Sequence, residues 1–455
     1  MEWLFPVLHF VFTATLFVGA FVLPLVLFYG VWSFYQRPTL AIRWVIWVFL
    51  LEAIIIVQPS LPLGVNLFIP DLLFLLIGAA GLLRLFVTKL RWPHYLWLIF
   101  GAMLAFSFAL GVLKFGSKSG VELRPYFYFW AGVWYLMTFR LSSADLETIA
   151  RSWMFASAVM VVIACFRWLA LAAGLEITHY WNEGGQSLRV FTSTQTFFLV
   201  QGFIIGLYAR LNKIGPAWWS GLVPILFICI VVLQHRTLWV MAFVSTAVLV
   251  LAAGKVRSRA LTGALAAAVI GAVVLTPLLL GGKLDRLQQS LSRSVEEVGQ
   301  QNSTMTWRVQ SWQALVQQWA TSGPLVNLAG FPFGSGFNRR IEASQTELTQ
   351  SPHSQYVTML LRTGLVGLLA MLAAYAFAIR GMWRWPHSRA AQVLDNKVLL
   401  ALLLGQVFFF LTYAAEYNMI LPLGLALTLL AAQPVTLRSG SAGLARAFNN
   451  WGAQA

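Results

Sequence analysis

Residues 152–175 read SWMFASAVMVVIACFRWLALAAGL, with Arg167 as the single charged side chain. About 20 residues of this kind, wound as an α-helix, span the hydrocarbon core of a bilayer. The run has no polar face to turn to water, so it predicts a membrane span rather than an amphipathic surface helix. Similar runs recur along the chain, roughly at 4–35, 44–58, 68–88, 95–113, 126–139, 195–209, 217–234, 237–254, 260–281, 354–379, 398–415 and 418–436. The first is long enough to tilt, while 44–58 and 126–139 are short, so the expectation is about 13 helices within a range of roughly 12–14. The predicted fold class is an all-α polytopic membrane protein. The opening Met1-Glu2-Trp3-Leu4-Phe5 lacks a basic n-region and a small-residue cleavage pattern, so it reads as a retained helix rather than a signal peptide.

Composition agrees with this reading. Of 455 residues, 59% are hydrophobic and 10% charged, against about 25% charged in soluble domains. That excludes a soluble globular enzyme, because too little polar surface exists to cover the body. Cys165 and Cys229 both fall in apolar runs, which excludes a disulfide framework and a cysteine-rich metal site. The net charge of +16 reports topology rather than a nucleic-acid partner. Alternate connections between the spans hold 18 of the 31 basic residues, from Arg37 and Arg43 through Arg84, Lys89 and Arg91 to Arg438 and Arg446 in the tail. The short connections of the other set hold only Lys114, Lys118, Arg124, Arg189 and Arg236. Cytoplasmic loops carry the excess of lysine and arginine, so the first set is predicted to be cytoplasmic and the second external. The chain then divides into a transmembrane bundle (1–281), an external loop (282–352), C-terminal spans (353–437) and a cytoplasmic tail (438–455).

The segment 282–352 is the one long polar stretch, and loops of this length usually carry function or are disordered. Within it, TMTWRVQSWQALVQQWA (304–320) has helical periodicity. Trp312, Leu315, Val316 and Trp319 share a face that leaves Gln310, Gln313 and Gln317 outside it. Ser303 or Thr304 caps its start and Gly323-Pro324 ends it. Such a stripe suits a helix lying at the membrane interface or one packed on neighbouring loops. A Gly- and Pro-rich turn follows, GFPFGSGF (330–337), and then Ser351-Pro352-His353 leads into the next span.

The block from Arg308 to Gly367 runs R-x3-W-x2-L, then Gly334 to Phe337 as G-x-G-F, then PHSQYVTMLLRTGLVGL. It resembles the signature of the O-antigen ligase and polysaccharide polymerase family of membrane glycosyltransferases. Upstream, Gln234-His235-Arg236-Thr237 at a helix junction, and Arg189 followed by Val190-Phe191-Thr192-Ser193, resemble the family's external arginine motifs. Two positions depart from the pattern: Ser354 stands where Asn is common, and Arg362 where an acid is common. The resemblance implies transfer of a glycan from polyprenyl (undecaprenyl) diphosphate to a sugar hydroxyl at the external face of the bacterial inner membrane. It also implies a metal-independent, inverting reaction without cofactors. The donor would be the lipid-linked glycan, and the acceptor another lipid-linked glycan (polymerase) or lipid A-core (ligase). Other polysaccharide assembly proteins would be partners.

The residues have the chemistry this needs. A departing diphosphate accumulates negative charge that fixed cations stabilise. Arginine suits the task, being permanently charged and able to bind oxygens in pairs. Arg236 and Arg308 are the candidates; interfacial snorkelling and a solvated helix face are the alternatives. No tight external carboxylate pair exists apart from Glu296-Glu297, which reads as a solvated face, so no metal site is expected. His353, expected in the first turn of its span where the helix dipole disfavours imidazolium, is the candidate general base. His235 is the competing base, and His179 is less favoured.

Glu52, Arg167 and Arg362 are ionisable residues inside predicted spans and therefore functional candidates by default. Glu52 is read as a structural pair. Arg167 and Arg362 are read as cavity lining, with Arg362 about 13 Å below His353 along its helix. Arg189 and Arg124 complete the predicted donor-binding set, Arg124 with Lys114 and Lys118 either as a basic mouth or as ordinary loop charge. Trp181, Trp307 and Tyr356 are candidates for stacking on sugars. The rival class is a polysaccharide or lipid-linked sugar transporter, which would carry internal repeats and a polar set near the midplane; no convincing repeat is found.

Overall fold

The computed structural model describes residues 22, 24–55, 60–62, 66–175, 189–253, 304–341, 346–384 and 393–432. The predicted span at 260–281, the first part of the span at 4–35, the loop segment 282–303, His179, Trp181 and the tail lie outside these residues. After a helical stretch at 24–36 come α1 (Pro38–Ile54), α2 (Ile69–Arg84), α3 (Trp92–Phe115), α4 (Ser117–Met137), α5 (Ser143–Ala172), α6 (Ser193–Asn212), α7 (Ala217–Val232) and α8 (Arg236–Ala253). The loop contributes α9 (Thr304–Thr321) and α10 (Pro324–Ala329). The bundle resumes with α11 (Gln355–Arg384), α12 (Asn396–Phe409) and α13 (Ile420–Ala432). Two short antiparallel hairpins complete the described chain: β1 (Ser60–Pro62) with β2 (Asn66–Phe68), and β3 (Arg339–Ile341) with β4 (Thr346–Leu348).

Among the described residues three helices, α3, α5 and α11, are long and apolar enough to cross a membrane. Shorter apolar helices lie at Ala217–Val232, Arg236–Leu251, Asn396–Phe409 and Tyr417–Ala432. The chain therefore contains membrane-spanning helices, while the total of about 13 is an expectation carried forward.

Successive bundle helices run in opposite directions, so their connections gather at two ends. At one end, Arg84 donates to the carbonyls of Tyr35 and Thr138, and Tyr208 donates to Asp395. At the other end, Tyr417 donates to Glu52, Asn418 to the Thr194 carbonyl, and Thr412 to Thr237. The loop elements α9 and α10 and the β3–β4 hairpin lie at this second end.

Two of the helix boundaries that differ from the sequence expectation bear on the site. The span placed at 126–139 begins at Ser117, separated from α3 by Gly116 alone at φ 60°. Its first turns hold polar groups because Glu122 and Arg124 find partners there. The span placed at 44–58 is α1, Pro38–Ile54. Glu52 consequently lies near the end of its helix rather than midway, and its described hydrogen bond comes from Tyr417.

The predicted helix at 304–320 is α9. Its apolar stripe packs on protein: Leu315 clusters with Phe337 and Leu361, and Trp319, Phe331 and Val357 border that cluster.

Candidate active site

Helix α11 bends sharply at Gly364, whose backbone is non-helical at φ 62°, ψ −168°. The backbone of α10 crosses at this point. A Cβ on Gly364 would lie 2.2 Å from the Leu328 carbonyl oxygen, and one on Gly330 would lie 2.5 Å from the Arg362 carbonyl carbon. The helix interruption frees backbone acceptors, and the loop satisfies one of them: the Phe331 N–H donates to Leu361 O at 2.6 Å. A helix break within a membrane bundle is tolerated where neighbouring protein restores its hydrogen bonds.

The Gly-rich turn 330–337 then drops between α3, α4 and α11. Ser107 and Ser119 donate to the carbonyls of Phe331 and Phe333, each at 3.0 Å. Gly111 is required, since a Cβ there would lie 2.3 Å from Phe333 O. The turn is pinned from below by Arg362, 1% exposed, which pairs with Glu122 and donates to Ser335 Oγ (2.7 Å) and Gly336 O (2.5 Å). Its guanidinium also lies 4.3 Å from the centre of the Phe337 ring. Glu122 in turn accepts from the Gly334 N–H at 2.7 Å.

On this support stands His353. It is not in the first helical turn, as the sequence reading expects; α11 starts at Gln355, and His353 precedes it at φ 50°. Few non-glycine residues adopt that conformation, and they persist where the surroundings over-determine them. Both flanks are fixed here. Trp312 of α9 donates to Pro352 O at 2.6 Å. Arg339 donates to Gln350 O, Phe337 O and Ser311 Oγ at 2.7, 2.8 and 2.5 Å. Gln355 N–H donates to Phe410 O and Tyr413 O, and the Gln355 side chain accepts from Ala415 N–H at 2.8 Å.

The His353 ring is solvent-reachable. Even so, the surrounding protein mass first, and then the charges of Arg308 and Arg339, lower its pKa from the ordinary value. The neutral ring expected from the sequence is therefore favoured, through burial and two guanidiniums rather than through a helix dipole. Arg308, on α9, lies 5.6 Å from the centre of the Tyr413 ring. Its Nε is buried with no hydrogen-bond partner among the described residues.

The turn 410–416 joins this group to a second one. Beside Tyr413, Thr412 bonds Thr237 at 2.9 Å, the residue after Arg236 at the start of α8. Arg189 donates to Gln234 O at 3.2 Å. His235 is 4% exposed, with Nε2 3.0 Å from Phe191 O. Burial above all, then the nearby Arg189, pushes its pKa down to about 4. Its ring faces a backbone carbonyl, which leaves His353 as the exposed imidazole of the two.

The other predicted binding residues are engaged within the protein. Arg124 pairs with Asp71 at 2.8 Å and donates to Asn66 O, holding the β1–β2 hairpin. Arg167 donates to Val190 O and Ala53 O, fastening the segment before α6 to the end of α1. Tyr356 OH donates to Val407 O at 2.8 Å. Arg362 is the clamp already described. One residue the sequence reading passes over belongs to this end: Glu416, bonded to the Thr194 side chain, whose carboxyl burial pushes up to about 7. Its significance rests on the turn 410–416 meeting α6, α8 and α9, which no local pattern reveals.

Among the described residues no cluster of three His, Cys, Asp or Glu is arranged to hold a metal ion. Residues 221–372 match the family described as O-antigen ligase. This segment is about a third of the chain. It covers Arg236, Arg308, His353, Tyr356 and Arg362, while Arg124, Arg167 and Arg189 lie before it. At the level of the family, the match supports a membrane enzyme of the O-antigen ligase or polymerase type. No curated protein and no solved structure matches the chain.

Proposed function

We propose that this protein is an inner-membrane glycosyltransferase that moves a glycan from undecaprenyl diphosphate to a sugar hydroxyl at the periplasmic face, polymerising O-antigen or exopolysaccharide repeat units. The observation that carries the reading is His353, held at positive φ by bonds on both flanks and exposed beside Arg308. A neutral imidazole accepts the acceptor hydroxyl proton. The hydroxyl oxygen attacks the anomeric carbon from the face opposite the carrier, the bond to the diphosphate oxygen breaks, and its electron pair leaves with the diphosphate. Arg236 and Arg308 stabilise that charge, and Arg189 binds the donor beside them. Loss of one such fixed donor costs about 10²–10³ in rate.

The external placement of this end follows from the positive-inside rule, since the opposite connections carry most of the basic residues. A ligase acting on lipid A-core would use the same machinery with a different acceptor. A transporter would need its polar set near the midplane, whereas these residues sit at helix ends.

The test is purified protein with a defined undecaprenyl-diphosphate glycan. Elongated lipid-linked product is expected, product only on added lipid A-core reassigns the protein as a ligase, and no transfer to either acceptor defeats the enzyme reading.

A further inference from the structure

The end of the bundle opposite His353 encloses a cavity of about 800 Å³. It lies where the 24–36 helix turns into α1, α2 into α3, and α4 into α5. Arg37, Arg84, Lys89, Arg91 and Arg140 line it, against one carboxylate among the described residues, that of Asp145. That carboxylate already accepts from the N–H and hydroxyl of Ser142. Arg84 forms the floor. Its guanidinium donates to Tyr35 O and Thr138 O and lies 3.8 Å from the centre of the Phe139 ring. Those partners are neutral, so they aim the group without cancelling its charge. Arg37, Lys89 and Arg140 are exposed around the rim.

Membrane orientation accounts for basic residues at this end, but not for their convergence on one concavity. A concave surface with surplus cations concentrates anions. The remaining wall indicates which kind. Val87, Phe139, Ala431 and Ala432 make part of it apolar. Trp92 beside it is 65% exposed and Tyr95 47% exposed, and exposed Trp and Tyr sit at the headgroup level of a bilayer. Basic pockets between membrane helices on the cytoplasmic side suit acidic lipid headgroups.

We propose that this cavity binds the phosphate headgroup of an anionic membrane phospholipid, with Arg37, Lys89 and Arg140 around the phosphate above Arg84. Val87 and Ala431 face the glycerol and upper acyl chain. The site is independent of the glycan-transfer reading, because the two lie at opposite ends of the helices.

The test is phosphatidylglycerol retention by the delipidated full-length protein, read by native mass spectrometry. Arg37→Gln/Lys89→Gln/Arg140→Gln is compared with Arg151→Gln/Arg210→Gln/Arg384→Gln, which removes equal charge from the same end outside the cavity. All six side chains are exposed, so both variants keep the fold. Binding to the cavity variant is expected to fall about fivefold per cation, on the order of a hundredfold in all, with the control unchanged. Equal binding by the two variants overturns the proposal, as does phosphatidylcholine binding as tightly as phosphatidylglycerol. Displacement of the lipid by inorganic pyrophosphate would reassign the site to a free phosphate anion; no displacement supports the lipid.

Discussion

His353 combines two properties that separate under mutation. Its backbone is left-handed, which costs an ordinary L-residue about 1–2 kcal/mol. Its ring is the candidate base. His353→Gly should therefore keep or slightly raise the melting temperature, because glycine takes that conformation freely, yet abolish glycan transfer; transfer at the wild-type rate would remove the ring from the mechanism. The protonation behaviour follows from the neighbours. Burial, Arg308 and Arg339 lower the His353 pKa, so the base form persists below the ordinary imidazole value of about 6.5. The acid limb of kcat/KM should lie below that value. In Arg308→Gln, with one repelling charge gone, the limb of the residual activity should move upward, and an unmoved limb would separate the two residues. His353 stands out in the sequence through the resemblance of the 308–367 block, in which Pro352 precedes it and a span follows. Its conformation does not, because the bonds that impose it come from Trp312, Arg339 and the turn 410–416, distant in the chain.

At the scale of the element, the loop and α11 are one assembly. Gly364→Ala adds a Cβ 2.2 Å from the Leu328 carbonyl and at a positive φ, so it should destabilise the protein by about 2–4 kcal/mol and remove activity, measured by thermal unfolding and transfer assay. Arg362→Met leaves Glu122 without its cation and should cost about 3–5 kcal/mol; adding Glu122→Gln should recover part of the loss. Recovery to no extent would mean that Arg362 acts through Ser335 and Gly336 alone. The periodicity of 304–320 made α9 legible, because one helix face must be apolar wherever it packs. What it packs on was open, and Phe337, Leu361 and Val357 supply the answer. The buried arginines were legible as unusual but not as clamps, since Arg362 meets Glu122 and Arg167 meets Ala53 only through tertiary packing.

For the whole molecule, the distribution of charge predicts sidedness. In a cysteine-free background, a cysteine at Gln313 on the exposed face of α9 should react in intact cells with a membrane-impermeant thiol reagent admitted to the periplasm, and one at Lys213 should not. Reversed labelling would place the site on the cytoplasmic side. This expectation comes from the apolar runs and the basic connections, because span length and charge asymmetry are local properties of the chain. The meeting of α6, α8 and α9 at the turn 410–416 is a property of packing and was not legible in the sequence. The break at Gly364 also has a mechanical meaning for the whole body. The long lower part of α11 packs on α3, α12 and α13, whereas the short upper part that follows His353 is held by α9, α10 and the turn 410–416. Gly364, packed against the backbone of Leu328 and Ala329, is where the two parts meet. The setting of His353 is therefore fixed by side chains and carbonyls of the loop and the turn, not by the continuation of its own helix into the bundle.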